Sequence, residues 1–486
     1  MKKLLFLIFN LIFFISCYTS SPPVSDFSRD LPVPPLLEGT LADGEINYEF
    51  EVKKGETEII EGIKTETYGY NGNILGPTIK VRKGKNYRFK IYNNLGERTS
   101  VHWHGLRVPG EMDGGPNQMF IDGDYWEPHY KIEQPAATLW YHPHTWHKTG
   151  EHAYMGLAGI YIIEDEISDN LPIPKEYGVD DFPIIVQDKR FDRWGNLVYS
   201  NEHIGAMYGM RGDTLIVNGI LAPALDINKK YIRFRILNGS NASNYLYSFS
   251  DNRDFYQIAT DGGFLEKSNK LKKIFLSPGE RVEIIVEFKD QDKNKNLYLR
   301  TDNKNIMKFN VKKLNKNIEK IPAKLVNFQE YDIPFNVKTR EFILQGLGHM
   351  VTINGKQINM NRVDEYVNLN EIEIWEIRNI GTMHGTMMGG MMGGGRINPN
   401  DDTGFSNGGR SLNGHSFHVH AVQFRVLERN GQKPKAFEDG WKDTIFIDME
   451  DVVRVAVKFE DKGLFMYHCH ILEHEDNGMM GTFLVE

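Results

Sequence analysis

Cysteine is nearly absent: the 486 residues contain two, Cys17 and Cys469. Two thiols so far apart, one of them in the opening apolar segment, exclude a disulfide-stapled scaffold. No stretch approaches 18 consecutive apolar residues, so the sequence offers no membrane-spanning helix. Positive charge is not in excess either. The net charge is −8 and the pI is about 6.1, a balance that repels phosphate backbones and excludes nucleic acid as a partner. Long runs of 3.6-residue periodicity are scarce. Histidine is missing from the whole span between His203 and His349.

What is present begins with a targeting pattern. Lys2 and Lys3 precede the apolar run Leu4 to Ile15, broken only by Asn10, and then come Ser16 and Cys17. This run suits a signal peptide core, and Cys17 sits where a lipoprotein signal places its acylated cysteine, although Phe14 stands where leucine is usual. The expectation is an exported protein of the periplasm or cell envelope, anchored by lipid at Cys17. Paired arginines are lacking, so export in the unfolded state is expected. Residues 18–36, rich in Ser and Pro, read as a flexible tether.

Beyond that, the pattern is strands. Ile79 and Val81, then Tyr87, Phe89 and Ile91, alternate with polar residues around the turn Lys83-Gly84-Lys85, and Val453, Val455, Val457 and Phe459 repeat the period of two. Composition breaks at 167–177 and at about 308–324 divide the chain into domains at 37–167, 175–310 and 325–486, the last with a Met/Gly-rich insert at 383–395. The expected class is all-β, built of sandwich or barrel units in tandem.

The histidines carry the chemistry. Random placement of 16 histidines gives about half of one His-x-His pair, whereas the chain has four: His102/His104, His142/His144, His418/His420 and His468/His470. In an extended segment residues i and i+2 point to the same side, so each pair offers two imidazoles to one place, and eight imidazoles imply more than one ion. In His468-Cys469-His470, followed by His474 and Met479, the cysteine faces away from its two neighbours. A thiolate, an imidazole and a thioether are ligands of a blue-copper electron-transfer site, which needs one more histidine. His415 differs in parity from His418 and His420 and can supply it. The segment 468–470 then joins a sulfur-bound copper to an imidazole-bound cluster. A free thiol kept in an exported protein, open to oxidation, acquires a reason.

The segments His-Trp-His-Gly (102–105), Trp-Tyr-His-Pro-His (140–144), His-Ser-Phe-His-Val-His (415–420) and His-Cys-His-Ile-Leu-Glu-His-Glu-Asp-Asn-Gly-Met-Met (468–480) resemble those of the multicopper oxidases, most closely the bacterial periplasmic copper-efflux oxidases and bacterial laccases. Gly-Pro-Thr-Ile (76–79), Val-Gln-Asp (186–188), Val-Asn-Gly (217–219) and Trp-Lys-Asp-Thr (441–444) extend the likeness from about residue 36 to the end. The resemblance implies three cupredoxin-like Greek-key domains, the second without copper ligands, and four copper ions. By resemblance the type-1 copper takes His415, Cys469, His474 and axial Met479; the type-2 copper takes His102 and His418; the type-3 pair takes His104, His142, His144, His420, His468 and His470. Asp113 and Glu475 match carboxylates that manage protons for O2 reduction.

The resemblance implies O2 as electron acceptor. For the reductant, Met383, His384, Met387, Met388, Met391 and Met392 form a soft-ligand segment suited to Cu(I), which Met350 and Met360 are candidates to join. In the copper-efflux relatives an Asp and a Met before the third motif help hold substrate copper; here Ser411 and Asn413 stand there, and Ser416 replaces the usual Pro. Asp364 and Glu365 are candidates to support a rebuilt site. The expected reaction is oxidation of Cu(I) to Cu(II) in copper tolerance. The alternatives are a laccase-type oxidase of phenols or aromatic amines, a copper-storage protein and a copper-free envelope scaffold. With no sign of a protein partner, a monomer is expected.

Overall fold

The computed structural model describes residues 26–202, 204–328, 330–381 and 414–486. Among them strands dominate, and the longest helix is the seven-residue Thr149–Met155. The alternation read from the sequence is obeyed. Ile79, Val81, Tyr87, Phe89 and Ile91 are buried, while Lys80, Arg82, Arg88 and Lys90 between them are partly exposed. These two strands thus lay one face on a core and leave the other partly to solvent, whereas Ala137–His142 and His415–Val419 are buried on both faces.

The strands form six sheets in three pairs. The first pair holds a six-stranded sheet centred on Glu45–Thr57 and Asn86–Asn94, and a four-stranded sheet in the order Ile79–Arg82, Gly159–Glu164, Ala137–His142, His102–His104. Tyr48, Phe50, Phe89, Trp103 and Tyr141 fill the space between them. The middle pair has seven and five strands around Phe182, Phe234, Phe249 and Phe309. The last pair has six and five strands around Phe342, Trp375, Phe417 and Phe483. In its five-stranded sheet the order is Glu365–Val367, Met480–Val485, Gly463–Cys469, His415–Val419, Thr444–Ile447. Each pair is a sandwich with its own apolar filling, the cupredoxin-like arrangement.

Two expectations need correction. Residues 18–36 read as a tether, but the described part is bound to the fold. Leu31 and Val33 pack on the middle core, and Leu31 N donates to Ala224 O at 2.7 Å. The carbonyls of Pro32 and Pro34 accept from Asn218 and Tyr177 at 2.8 and 2.7 Å. Proline-rich composition signals extended backbone, and here apolar side chains between the prolines anchor it. The second concerns the end of the middle unit. The strand Lys304–Asn315 runs past residue 310, because Ile306, Phe309 and Val311 face inward while the Lys/Asn composition lies outward.

Candidate metal centre

Register brings the histidine pairs together. In the first sandwich His102 lies directly opposite His142, and His104 opposite Trp140. In the last, His418 lies opposite His468 and Phe417 opposite Cys469. The two sheet ends then meet. His102 stacks on His420 with ring centroids 3.9 Å apart, and His104 on His418 at 3.7 Å. His468 Nε2 lies 3.1 Å from His420 Nε2 and 3.3 Å from His144 Nε2. All of these histidines, with His142 and His470, are at most 1 % exposed.

Eight imidazoles packed without solvent would be a poor core on their own. Burial pushes the His102 ring down to about 3 and holds His104, His142, His144, His418, His420 and His470 well below the usual imidazole range, so these rings are neutral. Four of the rings have their outer nitrogen occupied. His102 Nδ1 donates to Asp113 O at 2.9 Å, His418 Nδ1 to Asp443 O at 2.8 Å, His142 Nδ1 to Pro143 O at 2.8 Å and His420 Nδ1 to Asp113 Oδ2 at 2.7 Å. These bonds fix the tautomers and leave the Nε2 lone pairs facing inward. Nε2 of His102 and His418 and both ring nitrogens of His470 have no partner at all. Lone pairs confronting one another at 3.1–3.3 Å repel unless a cation lies among them, so the donor set fits bound metal. Triads His102/His104/His142, His102/His418/His420 and His144/His420/His468 each bring their ligand atoms within 4.8 Å.

On the other side of the Cys469 strand is a second group. Cys469 Sγ lies 3.5 Å from His415 Nδ1 and 3.8 Å from His474 Nδ1. Burial pushes the thiol up to about 12 and the His474 ring down to about 4. A metal that deprotonates the thiol would reverse the first cost. Met479 is fully buried in the same core, and its carbonyl accepts from Cys469 N at 3.0 Å. His474 donates through Nε2 to Met207 O at 3.0 Å, which turns Nδ1 toward the sulfur.

The comparisons with known proteins agree on one family. Multicopper oxidase family profiles match residues 51–168, 206–320 and 329–486. The chain belongs to the multicopper oxidase family. It is therefore an oxidoreductase that uses copper, a reducing substrate and O2. It is 38% identical over 443 residues to the multicopper oxidase mco of Staphylococcus haemolyticus, covering 91% of this chain and 89% of that one. It is 34% identical over 478 residues to the cell division protein FtsP of Proteus mirabilis, covering 94% and 92%. Among solved structures, the laccase of Pediococcus acidilactici matches with a TM-score of 0.86 and 34% identity, over 96% of this chain and 95% of that one.

Eleven of the twelve ligand candidates, the ten histidines and Cys469, converge on two neighbouring groups, and Met479 is buried in the core that holds Cys469. Asp113 is buried beside His420 and His102, and burial pushes its carboxyl up to about 6. Glu475 sits with Oε1 3.3 Å from His144 Nδ1 and Oε2 3.2 Å from His468 Nδ1. Met360 is half-buried against Ile358, Met466, Met480 and Trp146, and Asp364 and Glu365 are engaged by Arg362 and Arg340. Met383, His384, Met387, Met388, Met391, Met392, Ser411, Asn413 and Cys17 lie outside the described residues. No sequence pattern marks Asp443, Thr444 or Arg281 as functional beyond the segment Trp-Lys-Asp-Thr (441–444). A buried carboxylate bound to an arginine 162 residues away leaves no periodic trace.

Proposed function

We propose that this multicopper oxidase takes single electrons from Cu(I), releasing Cu(II), and uses four of them with four protons to reduce one O2 to two water molecules. The ligand assignment is the one implied by resemblance: His415, Cys469, His474 and Met479 for type-1 copper, His102 and His418 for type-2, and His104, His142, His144, His420, His468 and His470 for the type-3 pair. Four copper ions bound there would supply the one-electron redox chemistry that links reductant to O2. The protein's residues do the rest. Cys469 and its neighbours His468 and His470 connect the sulfur group to the imidazole group through covalent bonds. Full burial of both groups excludes water and side reactions. Asp113, with a carboxyl pushed up to about 6, is suited to hold and release a proton near neutral pH beside His420. Glu475, beside His144 and His468, is placed for the same task.

The observation that carries the Cu(I) reading is the surface over His474. The short helix Ile204–Tyr208 packs on the helix Leu472–Asp476 and on the turn Gly348–Met350. It covers the outer edge of His474 and exposes soft thioethers there, Met207 at 40% and Met350 at 79% exposure. The sequence adds five methionines in the ten residues 383–392. Thioethers select Cu(I), and a phenol gains little from them. The laccase among the structural relatives keeps phenol oxidation as the second reading. The complete set of buried ligands argues against a copper-free scaffold, and passive storage has no use for a cysteine between two metal groups. The same reading has the chain exported, acylated at Cys17 and acting as a monomer. Its units are 37–167, 175–315 and 325–486, with the middle one carried to the end of its last strand.

The test is O2 consumption by copper-reconstituted protein lacking residues 1–17, with Cu(I) and a phenol as competing reductants. Cu(I) is expected to be preferred, and replacing Met207, Met350 and the 383–392 methionines by alanine is expected to lower kcat/KM for Cu(I) about tenfold or more while sparing the phenol. A phenol preferred by the parent protein, with the methionines dispensable, makes it a laccase and sinks the Cu(I) reading.

A further inference from the structure

The middle domain supplies no imidazole to the metal centre, yet one of its turns reaches it. Ser277 to Glu280 join the strands Lys273–Leu276 and Arg281–Glu287. Gly279 has φ +85°, and a Cβ there would stand 3.1–3.2 Å from the His470 ring, so the turn packs closely on that imidazole in a backbone conformation that favours glycine. Arg281, fully buried, follows. Nε donates to Thr138 O at 3.1 Å, Nη1 to Gly279 O at 3.0 Å, and Nη2 to Asp261 O at 3.1 Å. The guanidinium then closes a fork on Asp443, with Nη1 to Oδ1 and Nη2 to Oδ2 both at 2.6 Å. All five donors are used, so the group has one orientation.

Asp443 is in turn bound to two cluster histidines. Its Oδ1 accepts from His104 Nε2 at 3.1 Å, and its main-chain oxygen accepts from His418 Nδ1 at 2.8 Å. Thr444 Oγ1 stands 3.0 Å from His104 Nε2 and 3.1 Å from His418 Nδ1, and donates to Asp443 Oδ1 at 2.9 Å. Space for the pair is kept by Gly105, φ +86°, where a Cβ would lie 2.5 Å from Asp443 Oδ2 and 2.8 Å from Arg281 Nη2. His104 therefore differs from its neighbours: its Nε2 is held outward, and its Nδ1 faces the centre, 3.3 Å from His142 Nε2.

We propose that Arg281 is a positioning residue for the oxygen-reducing centre. Through Asp443 it sets the tautomer and ring angle of His104 and, through the Asp443-Thr444 backbone, the angle of His418. A domain without ligands thereby sets the geometry of one type-2 ligand, His418, and one type-3 ligand, His104. The proposal rests on the copper reading above. Two variants test it in the full-length enzyme: R281K, which keeps the charge but cannot form the fork, and the pair R281Q/D443N, which removes both charges and leaves neither buried alone. Copper per chain, the type-1 thiolate absorption, the type-2 EPR signature and O2 consumption are measured on each.

The expected result is an unchanged thiolate absorption with a shifted or lost type-2 EPR signature and O2 consumption lowered ten- to a hundredfold, the range known for residues that orient metal ligands. If R281K does not fold, the neutral pair carries the test. Full copper loading with an unaltered type-2 signature in the variants overturns the proposal and leaves Arg281 a domain-interface ion pair. A parent enzyme that binds copper without any type-2 signature overturns the copper reading itself, and the proposal with it.

Discussion

Lys189 is 1 % exposed, with its ammonium 4.4 Å from the centroid of the Tyr154 ring and hydrogen-bonded to the Tyr154 carbonyl. Burial lowers it from the usual 10.5 to about 7, although the charges of Asp188 and Glu473 oppose the shift. Between those two values the unfolded chain holds a proton that the folded one has released. Stability from this residue therefore rises as pH goes from about 7 to about 10, and is flat below. Chemical unfolding of the copper-free protein at several pH values is expected to show that slope, worth a few kcal/mol at most, and K189M is expected to remove it. An unchanged slope in K189M would assign the pH dependence elsewhere. At the same scale, Cys469 brings its sulfur within reach of both His415 and His474. C469S is expected to abolish the thiolate absorption and to lower reductant-driven O2 consumption by at least about a hundredfold. A storage protein would instead lose a fraction of its copper and consume no O2 in either form.

At the level of elements, the strand His415–Val419 is tied to the middle domain by one hydroxyl side chain. Ser416 donates through Oγ to Pro278 O at 2.8 Å and lies 2.8 Å from Ser277 Oγ. Its own carbonyl accepts from His470 N at 2.5 Å. S416A removes the two side-chain contacts and keeps the strand. It is expected to cost about 1–2 kcal/mol in urea unfolding, with the thiolate absorption unchanged. No loss of stability would mean that water replaces the hydroxyl without penalty. The helix Leu472–Asp476 is a second such tie. Asp476 accepts from Thr149 N and Gly150 N at 3.0 and 2.8 Å, and so caps the helix Thr149–Met155. Glu473 accepts from Asn241 and Met210 N at 2.7 and 2.8 Å. The helix that carries His474 is thus held by both other domains.

For the whole molecule, the first and last sandwiches place neutral, buried imidazoles against one another with lone pairs inward, which is costly in the absence of metal. If copper binds this folded arrangement, for which the unfolded chain has no equivalent site, loading is expected to raise Tm by about 5 °C or more. Scanning calorimetry of copper-free and reconstituted protein measures this, and equal Tm values would mean that the histidines do not form a metal centre.

The sequence by itself determined the strand class, because burial on one face imposes a period of two that survives in residue order. It determined the ligand candidates too, because a repeated His-x-His spacing is local. The same local logic separated Cys469 from His468 and His470 by parity. Only the tertiary structure decided what joins residues far apart in the chain. The register of His102 on His142 and of His418 on His468, the facing of the two sheet ends, and the Arg281 fork on Asp443 depend on how three separately folded sandwiches dock. The anchoring of the 29–37 segment was hidden for the same reason: its prolines set an extended backbone, but the cores that receive Leu31 and Val33 lie far along the sequence. Local spacing encodes which side a residue faces, and long-range packing decides what it meets there.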